Sequence, residues 1–187
     1  MNKGMLVVLS APSGCGKDTV FKELKKLRND VVESVSATTR KPRDGEIDGV
    51  NYFFVSDDEF ERMIDDNELL EYCQYNNCYY GTPIKGINKA IDENKICFLI
   101  IEIIGAQRVM ELYPDCLSIF LLPPSFEILE KRLRSRDSDD EEIINRRLEI
   151  ARIEMTYKDK YDYQVVNDDL DECVNKINEI INEKLNG

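Results

Sequence analysis

Nine consecutive residues, Ala11-Pro12-Ser13-Gly14-Cys15-Gly16-Lys17-Asp18-Thr19, carry the plainest chemistry in the chain. A glycine-rich turn that ends in a helix can aim backbone N–H groups at a phosphate chain, and the helix dipole adds positive potential there. Gly14 and Gly16 let the backbone approach closely, and Lys17 can bridge the β- and γ-phosphates of a nucleoside triphosphate. The strict pattern G-x-x-x-x-G-K-[ST] is broken at Ala11 and at Asp18. A carboxylate about 4 Å from a phosphate charge costs on the order of 4 kcal/mol at an effective dielectric of about 20. Asp18 is therefore expected to point outward, or to approach phosphate only through Mg²⁺. Thr19 keeps a hydroxyl one position later. A purely structural glycine turn is the plain alternative; the apolar run before the loop, the helical pattern after it and Lys17 argue for phosphate.

An acid after a second apolar run, Glu102 following Ile96 to Ile101, is placed to hold Mg²⁺ directly or through water. A carboxylate that only opens a helix ahead of Gly105 is the other reading. Two basic clusters interrupt an acidic background. Thr38-Thr39-Arg40-Lys41-Pro42-Arg43 suits a second phosphate group, and Arg132, Arg134 and Arg136 are followed by Arg146 and Arg147. Arg132 and Arg136 share a helical face, and Arg136 runs into the acidic stretch Asp137 to Glu142, the pattern of a lid between two helices. Arg134 and Arg146 read as solvated surface charges. Phosphoryl transfer asks for positioning and charge neutralisation more than for covalent help, so cations gathered around two phosphate sites would suffice.

These residues need a scaffold. Met5 to Ser10 reads as a buried parallel strand, and Val20, Phe21, Leu24 and Leu27 recur at helical spacing behind the loop. Strand, glycine turn and helix open a doubly wound α/β fold. From Val31 to about Asn94 short β-like pieces (Val31 to Val35, Tyr52 to Val55, Tyr79 to Tyr80) alternate with polar turns such as Arg43-Asp44-Gly45-Glu46. One helix is expected there, Ser56 to Asn67, capped by Ser56 with Glu59 answering it. Strands resume at Ile96 to Ile101, Leu117 to Leu122 and Tyr163 to Val166. Helices are expected over Ala106 to Leu112, Ser125 to Arg134, Glu141 to Lys158 and Leu170 to Leu185. The expectation is one α/β domain with a parallel central sheet: a core of residues 1–34 and 95–187, an insertion over 35–94, and a lid near 135–145.

The 187 residues carry a net charge of −12, which speaks against nucleic acid and anionic membranes as partners. Six cysteines show no C-x-x-C pair, and the absence of histidine removes Cys/His zinc sites and Ser-His or Cys-His nucleophiles. Cys97 and Cys116, in apolar runs, read as core residues. With no signal-peptide pattern and no apolar run of the length of a membrane span, a cytoplasmic protein is expected.

Taken together, A-P-S-G-C-G-K, S-V-S-A-T-T-R-K-P-R, G-V-N-Y-F-F-V, E-L-L-E-Y, Y-Y-G-T, R-L-R-S-R and V-N-D-D-L resemble guanylate kinases, collinearly from about Met5 to the last helix. The resemblance implies a P-loop fold with a GMP-binding insertion and a lid. It also implies an ATP:GMP phosphotransferase that uses Mg-ATP. It implies that Ser36, Arg40, Arg43, Tyr52 and Tyr80 bind the GMP phosphate and that Glu71 and Thr82 read guanine, with Gly81 and Glu102 on the same side. A carboxylate can accept from N1–H and the 2-amino group, and a hydroxyl can donate to O6. Lys17, Arg40, Arg132, Arg136 and Arg147 would surround the transferring group, Ala11 to Thr19 would hold ATP, and Asn167 would lie beside adenine. Family members usually carry two acids and a glutamine where this chain has Ile100, Glu102 and Ile104, so a polar group near the GMP side is missing. A related kinase for another phosphorylated acceptor, or a non-catalytic binding module, are the alternatives. Whether dGMP also serves, and whether the protein is a monomer or a homodimer, stay open.

Overall fold

Alternate side chains of the first strand, β1 (Met5–Ser10), are buried on opposite faces: Val7 and Leu9 join one apolar cluster, Leu6 and Val8 another. A strand with two dry faces belongs inside a sheet covered on both sides, the setting of parallel strands. The computed structural model describes residues 4–75, 77–135 and 140–186. Its larger sheet has five parallel strands in the order β2 (Val31–Glu33), β7 (Ile96–Ile100), β1, β8 (Leu117–Leu122), β9 (Tyr163–Val166). Val7 of β1 lies between Phe98 and Leu117, so the core's centre is the pairing of the phosphate-loop strand with its two neighbours.

Helices α1 (Lys17–Leu27), α5 (Phe126–Arg134), α6 (Glu141–Met155) and α7 (Leu170–Asn186) contribute Phe21, Leu129, Leu148 and Ile177 to one face. Helices α3 (Ile84–Asp92) and α4 (Ile103–Leu112) cover the other with Ile87 and Val109. Ser125 and Asp140 cap α5 and α6 through hydrogen bonds from the Ile128 and Ile143 amides. Among the described residues no helix is long and apolar enough to cross a membrane.

A second sheet runs in the order β4 (Phe53–Phe54), β3 (Ala37–Thr38), β6 (Cys78–Pro83), β5 (Leu69–Tyr75). Helix α2 (Asp57–Asp65) covers it, with Phe60 stacked on Tyr79 at 5.1 Å. Ser56 caps α2 as the sequence predicts, accepting from Glu59 N.

Four elements differ from expectation. Helix α3 and strand β5 are additions: Ile84, Ile87, Ala90 and Ile91 recur at helical spacing and pack under the parallel sheet, so the chain rejoins the core before residue 95. Helix α4 begins at Ile103, with Glu102 at its N-cap, and α6 stops at Met155 before a short 3₁₀ turn, Lys158–Lys160. Cys97 and Cys116 are buried, and burial pushes the Cys97 thiol up to about 12, as core residues require.

The packing of α3 leaves no room beside Gly4, where a Cβ would stand 2.1 Å from the Ile91 carbonyl oxygen. Gly4→Ala should destabilise the fold by about 2 kcal/mol, as overpacking does. In a chain of this size that lowers the thermal midpoint by roughly 4–8 °C, to be read by a melt followed in circular dichroism.

Candidate active site

The loop between β1 and α1 is shaped by two glycines in the left-handed region, Gly14 at φ 91° and Gly16 at φ 87°. Gly16 is the N-cap of α1 and has no side chain to satisfy the helix's first amides, which leaves the N-terminus available to an anion. The Lys17 ammonium donates to the Ala11 carbonyl at 3.0 Å, spanning the loop, and stands 3.6 Å from the Glu102 carboxylate. Thus the lysine and the acid predicted from separate motifs meet at the ends of adjacent strands.

Three further contacts hold the loop. The Ser13 amide donates to Glu154 of α6 at 3.3 Å. Burial, then the charge of Glu102, push the Glu154 carboxyl above its ordinary pKa, and Lys17 partly offsets them. The buried Asn167 amide donates to the Cys15 carbonyl at 2.7 Å, and Arg132 of α5 donates to the Asn167 carbonyl at 3.0 Å. Cys15 itself is buried with its thiol pushed up to about 12 by that burial, so it stays protonated and contributes no thiolate.

Across the cleft, Arg40 follows β3. It forms a bidentate pair with Glu46 and lies beside the Tyr52 and Phe54 rings, with its Cζ 5.4 and 5.6 Å from their centroids. The Glu46 hydrogen bonds raise the guanidinium's pKa against burial, with help from the Tyr80 hydroxyl. Ser36, Tyr52, Thr82 and Ile100 line one open cleft. Further in, Thr82 donates to Glu71 at 2.6 Å. An ionised carboxylate only accepts, so the single Thr82 proton is spent on Glu71. In this arrangement the Thr82 hydroxyl orients the acid. Burial pushes the Glu71 carboxyl above its ordinary value, opposed by that hydrogen bond and by Arg108.

The glycine loop with Lys17, the Arg40–Glu46 pair and the half-buried Glu71–Thr82 pair are thus each built from side chains held by specific partners. The guanylate kinase family model matches residues 3–184. The chain belongs to the guanylate kinase family. It is 48% identical over 179 residues to the guanylate kinase of Halalkalibacterium halodurans, covering 96% of this chain and 88% of that one. With the guanylate kinase of Carboxydothermus hydrogenoformans it shares 46% over 186 residues, 99% and 91% of the two chains. The crystal structure of guanylate kinase from Anaplasma phagocytophilum superposes with a TM-score of 0.77 at 33% identity, covering 99% of this chain and 88% of that one.

As a guanylate kinase, the chain shows where each expected residue goes. Ala11, Pro12 and Thr19 flank the loop, with Ala11 and Pro12 buried and Thr19 exposed on α1. Asp18 is exposed, in keeping with an outward-pointing side chain, and also lines the cleft beside Glu33 and Tyr52. One helical step of about 100° beyond Lys17 carries its side chain off the loop and over the end of β2. Tyr80 and Gly81 lie on β6, Arg43 is exposed at a turn, and Arg147 is half-buried on α6. Arg136 and residues 137–139 of the segment read as a lid lie outside the described residues, whereas 141–145 form the first turns of α6. Ile100 joins the cleft wall, whereas Ile104 is 87% exposed at the start of α4.

Glu46, Glu154 and Gly105 escaped the sequence reading. Only the turn Arg43 to Glu46 gave a local signal for the first, and Glu154 sits 141 residues from Ser13. Gly105 matters by what it omits: a Cβ there would stand 3.0 Å from Glu71 Oε2. Gly105→Ala should displace the carboxylate by a few tenths of an ångström, raising KM for the acceptor roughly tenfold, the cost of about 1.4 kcal/mol, with KM for ATP unchanged in initial-rate kinetics.

Proposed function

We propose that this guanylate kinase transfers the γ-phosphoryl group of ATP to GMP, giving ADP and GDP, with the loop from Ala11 to Thr19 as donor site. The carrying observation is the Glu71–Thr82 pair beside the cleft that Ser36 and Tyr52 line. A sugar phosphate has no base edge to meet a buried carboxylate. Guanine offers N1–H and a 2-amino group to Glu71; adenine offers no such pair and would leave the acid unpaired, at about 1–3 kcal/mol for each lost partner. Arg40 and Arg43, with Ser36, Tyr52 and Tyr80, take the acceptor phosphate. Arg132, Arg136 and Arg147 join Lys17 around the group in flight, and Asn167 holds the loop on the adenine side. No side-chain base is required, because a GMP phosphate oxygen is already a competent nucleophile.

Glu102 is an exposed oxygen donor 3.6 Å from the Lys17 ammonium, hard enough for Mg²⁺ and reachable through water. Mg²⁺, bound with ATP, would supply charge neutralisation on the phosphates. The residues of the insertion, with α3 counted in the core, would close over the acceptor, and the segment near 135–145 over the donor, excluding water.

Coupled ADP release with Mg-ATP and GMP, dGMP, AMP, CMP or UMP tests the reading. Turnover with GMP, alone or with dGMP, is expected. A preference for AMP or a pyrimidine nucleotide would overturn it.

A further inference from the structure

We propose that Glu46 is a positioning residue for the acceptor phosphate: it grips one edge of the Arg40 guanidinium so that another edge is presented to the nucleotide. The inference rests on the reading of Arg40 as a phosphate ligand and adds a residue that reading does not contain.

A tight turn brings Glu46 back to the chain it has just left. Glu46 N donates to the Arg43 carbonyl at 3.0 Å, and Gly45 supplies φ 84°, a conformation glycine adopts without strain. The returning carboxylate then closes three contacts. Oε2 accepts from the Arg43 amide at 2.7 Å and from Arg40 Nη1 at 2.9 Å, and Oε1 accepts from Arg40 Nη2 at 2.8 Å. The Arg40 and Glu46 side chains are only 16% and 19% exposed.

The donor inventory of the guanidinium decides the role. Of its five N–H groups, both on Nη1 are used, one by Glu46 and one by the Lys41 carbonyl at 2.7 Å. One on Nη2 goes to Glu46. The two that these contacts leave, Nε–H and the second Nη2–H, lie along one side and form the planar fork that fits two phosphate oxygens. Tyr52 and Phe54 flank the group, and the Tyr80 hydroxyl interacts with it. An arginine held in this way has given up its rotamer freedom before the ligand arrives, which lowers the entropic cost of binding. A carboxylate acting as a stand-in for phosphate would occupy the ligand-facing fork. Glu46 takes the end of the guanidinium instead and is anchored to the Arg43 amide.

The test compares Glu46→Gln and Arg40→Ala with the parent protein, using GMP and its phosphate-free analogue guanosine. For Glu46→Gln, KM for GMP should rise roughly tenfold to thirtyfold, with kcat within about threefold and KM for ATP unchanged. The inhibition constant of guanosine should stay constant, so the preference for GMP over guanosine falls by the same factor as KM rises. A merely structural role would move guanosine, ATP and the melting temperature together, and that result would overturn the proposal. Tighter GMP binding in Glu46→Gln would also sink it, because the carboxylate would then be competing with phosphate. Arg40→Ala separates the two levels. If it leaves the GMP-to-guanosine preference intact, the phosphate reading itself fails; if it lowers the preference while Glu46→Gln does not, only the role of Glu46 fails.

Discussion

Lys17→Ala is expected to abolish measurable transfer, lowering kcat by about 1,000-fold or more, at the upper end of the loss of one preorganised transition-state donor. The side chain has few alternatives in place. Its ammonium is tied to the Ala11 carbonyl and the Glu102 carboxylate, 13% exposed, and stands across the mouth of the loop that it serves. Charge developing on the transferred group would meet it at close range in a partly buried site, where a cation counts for more than in water. Its side chain belongs to neither apolar cluster of the parallel sheet, so the variant should keep its fold. Rapid-quench or coupled assays at saturating Mg-ATP and GMP, with a melt as control, measure the effect. Turnover within about tenfold of the parent would remove Lys17 from the chemistry.

Glu71→Ala carries the second large effect, and its signature is selectivity. Two charge-assisted hydrogen bonds to guanine would be lost, at about 1.5–3 kcal/mol each, so kcat/KM for GMP should fall by roughly 100- to 10,000-fold. The small rate with AMP should barely change, and ATP should bind as before. Acid has the same target. Because burial holds the Glu71 carboxyl above its ordinary pKa, falling pH protonates it earlier than an exposed glutamate. The neutral acid loses acceptor capacity, so KM for GMP rises as pH drops through that raised value while KM for ATP lags behind. A variant that still preferred GMP over AMP would refute the base-reading assignment.

The donor half of the site was legible because it is local. The residues of β1, the glycine loop and α1 are contiguous, and strand and helix periodicities are each plain within a few residues. The end of β7 was legible for the same reason, and Glu102 duly meets Lys17. The acceptor half needed the family resemblance, since Glu71 looks like any surface acid until Thr82 reaches it across β5 and β6. Helix α3 was hidden by its polar residues Lys85, Asn88 and Lys89, which mask a short apolar stripe whose partner strands lie elsewhere in the chain. The exposure of Asp18 agrees with its cost beside phosphate, but its place on the cleft wall beside Glu33 follows from the helical rotation beyond Lys17, which that cost alone does not give. Glu154 and Gly105 act over long sequence distances, by a contact and by a missing atom, and neither leaves a pattern in one dimension.

Asn167 ties two halves of the machine to one small amide group: its side chain grips the phosphate loop at Cys15 and its carbonyl holds Arg132 of α5. Such a joint would pass any shift of the loop on donor binding to α5. By the same factor it would pass any shift of α5 back to the loop, since coupling between two binding or conformational events is reciprocal. The donor would then reach the acceptor's side of the enzyme as a change of shape before any phosphoryl group has moved.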